Sequence, residues 1–235
     1  VADLRAQFGM EYWKYDQDFF TEKTRAGRMK NVVAFQNAVL AVRKANPDLV
    51  MENCQSGGRM TNEFTVLSTQ SQWLKDGGRS GVGHARDNIS VALGAMEFIF
   101  PWECNRWTNN LDQIDAADDE LTRYYCRSAM AGTWGIVSDL AKIPERQQKV
   151  ILTEAANYRR LNTFKKDYLY DVYCGDRAKD FTGVVFYDTA RNAAAVLALR
   201  WDKKGAFEPA IPVRFLLPDG AYCIEDVDTG KTESV

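Results

Sequence analysis

The stretch Tyr12-Trp13-Lys14-Tyr15-Asp16-Gln17-Asp18 decides the fold, because its charges stand at every second position. In an extended strand the side-chain period is two. Lys14, Asp16 and Asp18 then project from one face, Tyr12 lies a layer deeper on that face, and Trp13 and Tyr15 point to the other. Three charges on one strand face are costly to bury, but they suit a strand whose end opens into a polar cavity. A carboxylate held there beside a lysine is ionised at neutral pH and available as a nucleophile. The pattern alone fits a solvated edge strand equally well, so the decision passes to the segments downstream.

Two further strand-like runs follow. Leu49 to Cys54 ends in Gln55-Ser56-Gly57-Gly58-Arg59, and Ser71 to Asp76 ends in Gly77-Gly78. Polar residues and a glycine pair after each run are the punctuation expected where a strand passes into a functional loop. Between the first two runs, Val32, Phe35, Val39 and Val42 recur at helical spacing, with Pro47 just past the helix end. Strand, helix and strand in one direction make a parallel unit whose strand C-termini share one side of the sheet. Asp16, Cys54 and Asp76 are thereby expected at one rim.

At these residues the chain resembles the α-galactosidases of glycoside hydrolase family 36, and more distantly their clan relatives in family 27. Lys14-Tyr15-Asp16 is similar to the family's Lys-aromatic-Asp nucleophile strand. Glu52-Asn53-Cys54 with Gly57-Gly58-Arg59 is similar to its Glu-x-Cys and glycine-rich loop, and Trp73-Leu74-Lys75-Asp76 to the Trp-x-x-Asp segment that carries the acid/base. Gly132 to Leu140 and the helix ending Asn157-Tyr158-Arg159-Arg160 resemble the last barrel strand and helix. The resemblance covers nearly the whole chain, with the motifs in order. Two departures bear on substrate rather than fold. Asp18 stands where the family has Asn, or Cys in the relatives, and Arg79 stands where another Asp is common.

With 46% hydrophobic and 26% charged residues and a net charge of −2, the composition is that of an ordinary soluble globular protein. No basic run points to nucleic acid, and no stretch of 18 apolar residues points to a membrane. The five cysteines, at 54, 104, 126, 174 and 223, lack metal-ligand spacing and read mostly as buried thiols in a reducing compartment, which slightly favours the cytoplasm. Cys54 is set apart: the resemblance places it beside the sugar without attacking it. The single histidine, His84, forms neither a His-based metal cluster nor a Ser-His-Asp triad and reads as a loop or helix-start residue. Lys75, on the opposite strand face to Asp76, reads as structural.

The periodicity then predicts a helix over 89–96, a fourth strand over 97–102, and a long polar loop over 103–117. A helix opening at Asp118-Asp119-Glu120 has Leu121, Tyr124, Tyr125 and Ser128 as its inner stripe. A short strand near Gly132-Thr133-Trp134 and a helix opened by Pro144 complete this part. From about residue 165 the period becomes that of short strands, Val184–Tyr187, Ala193–Leu199, Val213–Leu217 and Tyr222–Glu225, separated by turn signals. The expected fold is α/β: residues 1–163 as the C-terminal portion of a (β/α)₈ barrel, and 164–235 as an antiparallel β-sandwich domain. Five strands from Tyr12 onward do not close a barrel, so an upstream segment of the same protein is the expected partner for the missing strands.

The resemblance implies a retaining hydrolase of α-glycosides, α-galactosides first among them. Asp16 is then the nucleophile and Asp76 the acid/base, with carboxyl groups about 5–5.5 Å apart. Lys14, Asp18, Cys54, Gly57, Trp73 and Arg79 are assigned to substrate contact, and the chemistry needs neither metal nor other cofactor. An oligosaccharide or simple glycoside is the expected partner; a homo-oligomer stays open. The alternatives are a non-catalytic carbohydrate-binding or scaffold module on the same fold, a glycosidase for another α-linked sugar, and a barrel enzyme holding Mg²⁺ or Ca²⁺ through Asp16, Asp18 and Glu52.

Overall fold

The charged stretch forms β1 (Tyr12–Tyr15), which pairs in parallel with β2 (Val50–Asn53), so that Lys14 lies beside Glu52. Here the molecule is a computed structural model that describes residues 1–16, 23–59, 61–76, 82–109, 111–115, 117–173, 181–200 and 210–235. Asp18, Arg79 and Cys174 lie outside the described residues. Strands β3 (Ser71–Trp73), β4 (Cys104–Asn109) and β5 (Thr133–Val137) extend the sheet in sequence order, each parallel to the last. The result is a curled five-stranded half-barrel.

The period-two reading of β1 holds. Tyr15 is buried with Val39, Leu49 and Met51, and Trp13, Phe35 and Val42 pack around them, while Tyr12 and Lys14 face the other way toward Glu52. The intervening helix α2 (Arg25–Ala45) begins where Thr24 Oγ1 accepts from the Gly27 amide and ends before Pro47, with Arg43 and Lys44 in its last turn. Cap and basic residues both suit the helix dipole. A short helix α1 (Ala2–Phe8) precedes β1 and is closed by Gly9 in the left-handed conformation, φ 63°, and two short helices, α3 (Gln55–Gly58) and α4 (Glu63–Ser68), lie between β2 and β3.

The fourth strand is not where the hydrophobic run predicted. Residues 97–102 form turns, with Phe98 largely exposed and Phe100 partly so, and β4 lies in the segment whose polarity predicts a loop. Two of its polar side chains find partners distant in sequence, although Nε and Nη1 of Arg106 have none among the described residues. On one face Asn105 donates to Glu52. On the other, buried Arg106 donates to Asn88 of α5 (Val82–Ala95), and Asn88 also donates to the Trp107 carbonyl at 2.8 Å. Alternation cannot be recognised when both faces are polar.

Helices α5, α6 (Asp119–Ala129) and α7 (Glu145–Asn162) cover the outer face. Asp118 caps α6 by accepting from the Leu121 amide at 2.8 Å, and Tyr125, Cys126, Ser128 and Ala129 are buried beneath it. The core joins Ile89, Leu93 and Met96 of α5 to Tyr125, Cys126 and Met130, and continues into Val184, Phe186, Leu197 and Leu199. Those last residues belong to an antiparallel sheet of β6 (Tyr170–Tyr173), β7 (Phe181–Asp188) and β8 (Ala193–Arg200), ordered β6-β7-β8. Residues 213–217, read as a strand, form loop and turn instead. A separate hairpin pairs β9 (Cys223–Glu225) with β10 (Thr232–Ser234). Arg127 and Arg160 anchor the hairpin segment to the helices, through Asp228 and Glu225 respectively. Among the described residues no helix is long and apolar enough to cross a membrane.

His84 lies in the first turn of α5 as expected, but it is buried, with its ring against Trp107 and Tyr125. Burial lowers its pKa from the ordinary value of 6.5, and the charges of Arg106 and Lys75 act the same way, against the Trp107 carbonyl and Asp87. A base whose folded pKa is depressed contributes stability that is whole above its unfolded pKa and is lost as pH falls below it. The urea midpoint should therefore decline as pH drops below about 6.5, and His84→Gln should flatten that decline. An unchanged slope in the variant would show that His84 does not carry it.

Candidate active site

The first three strands deliver their C-terminal residues to one rim, and close contacts there form a closed circuit. The Cys54 thiol, directly after β2, hydrogen-bonds to the Asp16 carboxylate, directly after β1. Burial pushes that thiol up to about 11; the Gly57 amide opposes the shift and Asp16 adds to it. Cys54 is thus a protonated donor at neutral pH, not a nucleophile.

From Cys54 the chain makes one helical turn, α3 (Gln55–Gly58), in which Gly57 and Gly58 have φ of 73° and 81°. A side chain on Gly57 would fall 2.8 Å from the amide nitrogen and the Oδ2 of Asp76, and one on Gly58 would fall 2.4 Å from the Leu74 carbonyl oxygen. The glycine pair therefore serves two purposes: it permits the left-handed turn, and it lets the β2 loop lie directly against the segment carrying Asp76. The Trp73 indole donates to Asp76 Oδ1 at 2.8 Å. Lys14 Nζ lies 3.5 Å from the Trp73 ring centroid, which returns the circuit to β1. Asp16 and Asp76 are both exposed at this rim.

Beneath the rim, buried Glu52 gathers four donors: Tyr12, Asn105, the Ser71 hydroxyl at 3.2 Å, and Lys14 at 3.5 Å from Oε1. The charge of Lys14 is accordingly shared between Glu52 and the Trp73 ring, a role its position on the strand did not reveal. The same hydrogen bonds occupy Glu52, the oxygen ligand that a divalent-metal reading requires. Glu52→Ala should destabilise the fold by about 3 kcal/mol, since it leaves several donors without their acceptor. A denaturant midpoint within error of the parent would show that the cluster is not buried as described.

Lys75 pairs with Asp87 of α5 at 2.7 Å and so ties the Asp76 segment to the helix layer, in keeping with its structural reading. Sequence reasoning missed two neighbours of the site. Asn105 binds Glu52, and Trp107 stacks on Trp73 with centroids 5.3 Å apart and planes 12° from parallel. Both stand at alternate positions of β4, the strand that was read as a loop. Asp18 and Arg79, assigned to substrate contact, fall outside the described residues.

No protein-family model matches the chain, and no curated protein matches it. Solved structures do. The galactosidase domain of the α-galactosidase-sucrose kinase AgaSK aligns over 99% of this chain with a TM-score of 0.76 at 17% identity. A variant of the family 36 α-galactosidase AgaA from Geobacillus stearothermophilus, solved with 1-deoxygalactonojirimycin, aligns over 94% with a TM-score of 0.77 at 14% identity. The α-galactosidase from Lactobacillus brevis aligns over 99% with a TM-score of 0.75 at 13% identity. The chain spans about a third of the length of each, 32%. The resemblance read from the motifs is thus matched in three dimensions: the chain has the fold of part of a glycoside hydrolase family 36 α-galactosidase.

Proposed function

We propose that this chain carries the two catalytic carboxylates of a retaining α-glycoside hydrolase, acting on α-galactosides. The observation that carries this reading is the circuit Asp16, Cys54, Gly57, Asp76, Trp73 and Lys14. It holds two exposed carboxylates around one rim, each with a hydrogen-bond donor, Cys54 for Asp16 and Trp73 for Asp76. In this reading Asp16 attacks the anomeric carbon while Asp76 protonates the departing oxygen, and Asp76 then deprotonates the water that releases the sugar. Lys14, Cys54, Gly57 and Trp73 line the sugar, with Asp18 and Arg79 assigned beside them. The aromatic face of Trp73 suits the apolar side of a pyranose. The fold likeness to α-galactosidases supports galactose as the glycone.

The same reading divides the chain at 163/164 into a barrel portion and a β-sandwich domain, with three further strands closing the barrel. The test is the anomer released first by the full-length protein from an aryl α-galactoside, followed by proton NMR. Retention requires the α-anomer first, and a structure with a bound sugar should place the Asp16 and Asp76 carboxyl groups about 5–5.5 Å apart. First release of the β-anomer would overturn the mechanism. Sugar binding without hydrolysis over long incubation would favour the non-catalytic module.

A further inference from the structure

At the other end of the parallel sheet, the chain just before β4 and β5 borders a cavity of about 540 Å³. This lies within the roughly 300–1,000 Å³ of small-ligand pockets. Its walls combine three aromatic rings, Trp102, Tyr158 and Tyr168, with three polar side chains, Asn162, Lys165 and Lys166.

Two features show a wall held in place. Tyr168 has φ 57°, a left-handed conformation that a bulky side chain rarely adopts and that persists only where its surroundings impose it. In that conformation its ring meets Trp102 at 87° with centroids 4.5 Å apart, while Trp102 stacks on Phe100. Tyr168 nevertheless remains 63% exposed, so burial alone does not account for the arrangement. Lys165 is fixed as well. Its buried amine donates to the carbonyls of Met130 at 2.7 Å and Gly132 at 2.9 Å and lies 4.8 Å from the Tyr158 ring centroid, which holds this side of the cavity in place.

We propose that this cavity is a second saccharide-binding site, separate from the catalytic rim, in which a neutral sugar ring packs on Trp102 and Tyr168 and its hydroxyls bond to Asn162 and Lys166. Fixed aromatic walls beside a few directional donors match a pyranose, which is apolar on its faces and polar around its edge. The choice of saccharide rests on the glycosidase reading; the cavity does not.

The test uses full-length protein saturated with 1-deoxygalactonojirimycin to close the rim, with stachyose binding followed by ligand-observed NMR. Stachyose should still bind, and Trp102→Ala should weaken it about tenfold. Tyr168→Ala, at an exposed position, should do the same and guards against a Trp102 variant that fails to fold. Loss of all stachyose binding once the rim is closed, or unchanged binding in both variants, would overturn the proposal. Binding of trigalacturonate but not stachyose would overturn the neutral-sugar assignment. If the iminosugar does not bind while Trp102-dependent stachyose binding persists, the glycosidase reading fails and the second site stands.

Discussion

Asp16→Ala in the full-length protein is expected to reduce turnover of an aryl α-galactoside by at least about 10⁴-fold, the scale seen when a nucleophile or its essential partner is removed. Azide should restore part of the rate. The truncated side chain leaves a space beside Cys54, and a small anion there attacks the anomeric carbon with a single inversion, giving the β-glycosyl azide. The stereochemistry of that product makes the experiment specific, because a variant that merely misfolds yields no azide adduct. Recovery as the α-azide, or unchanged turnover without azide, would remove Asp16 from the nucleophile role. Cys54 does not take over the attack, since burial, the largest influence holding its thiol protonated, persists when Asp16 is removed.

How legible the site was depended on where its determinants lie in the chain. Lys14 and Asp16 could be placed because a strand's period of two follows from backbone geometry, and the Gly57-Gly58 pair because a left-handed turn and a close approach both exclude side chains. Helices α2, α6 and α7 were legible from spacing, from Pro47 past the end of α2, and from Asp118 and Pro144 at the starts of the other two; the Thr24 cap of α2 emerges only in the structure. β4 was not. Asn105 and one nitrogen of Arg106 are received by Glu52 and Asn88, 53 and 18 residues away. A local sequence window has no access to such partners, and the apolar run around Phe98 and Phe100 reads as a strand although Phe98 is 66% exposed and Phe100 packs against Trp102 in a turn. Glu52 shows the same limit: its sequence context suggests a ligand, whereas its role is to hold four neighbouring side chains. In the C-terminal part, turn signals located β7 and β8, but residues 213–217 lack a strand partner among the described residues.

Asp76→Ala should behave differently from the nucleophile variant, and the difference is the sharper test of how roles are divided. A general acid contributes about 10²–10⁴-fold, and it does so in proportion to how much the departing oxygen needs a proton. For a natural oligosaccharide, whose leaving group is a poor one, the variant should lose most of that factor. For a dinitrophenyl glycoside the first step needs little protonation and should be nearly spared, so that glycosyl-enzyme accumulates and a burst precedes slow turnover. Azide should then accelerate the second step and give the α-azide, because attack on the glycosyl-enzyme inverts the centre a second time. The two alanine variants would thus give azides of opposite configuration from one substrate. Equal losses on good and poor leaving groups would mean that Asp76 acts through position alone. Trp73 supplies the structural check. Its indole fixes Asp76 Oδ1 at 2.8 Å, and Trp73→Phe keeps a ring beneath Lys14 while removing that donor. The variant should therefore reproduce part of the Asp76→Ala pattern, with a larger loss on the natural oligosaccharide than on the dinitrophenyl glycoside, because a less firmly held acid matters most where the departing oxygen needs its proton. Unchanged rates on both substrates would show that the indole does not position the acid/base.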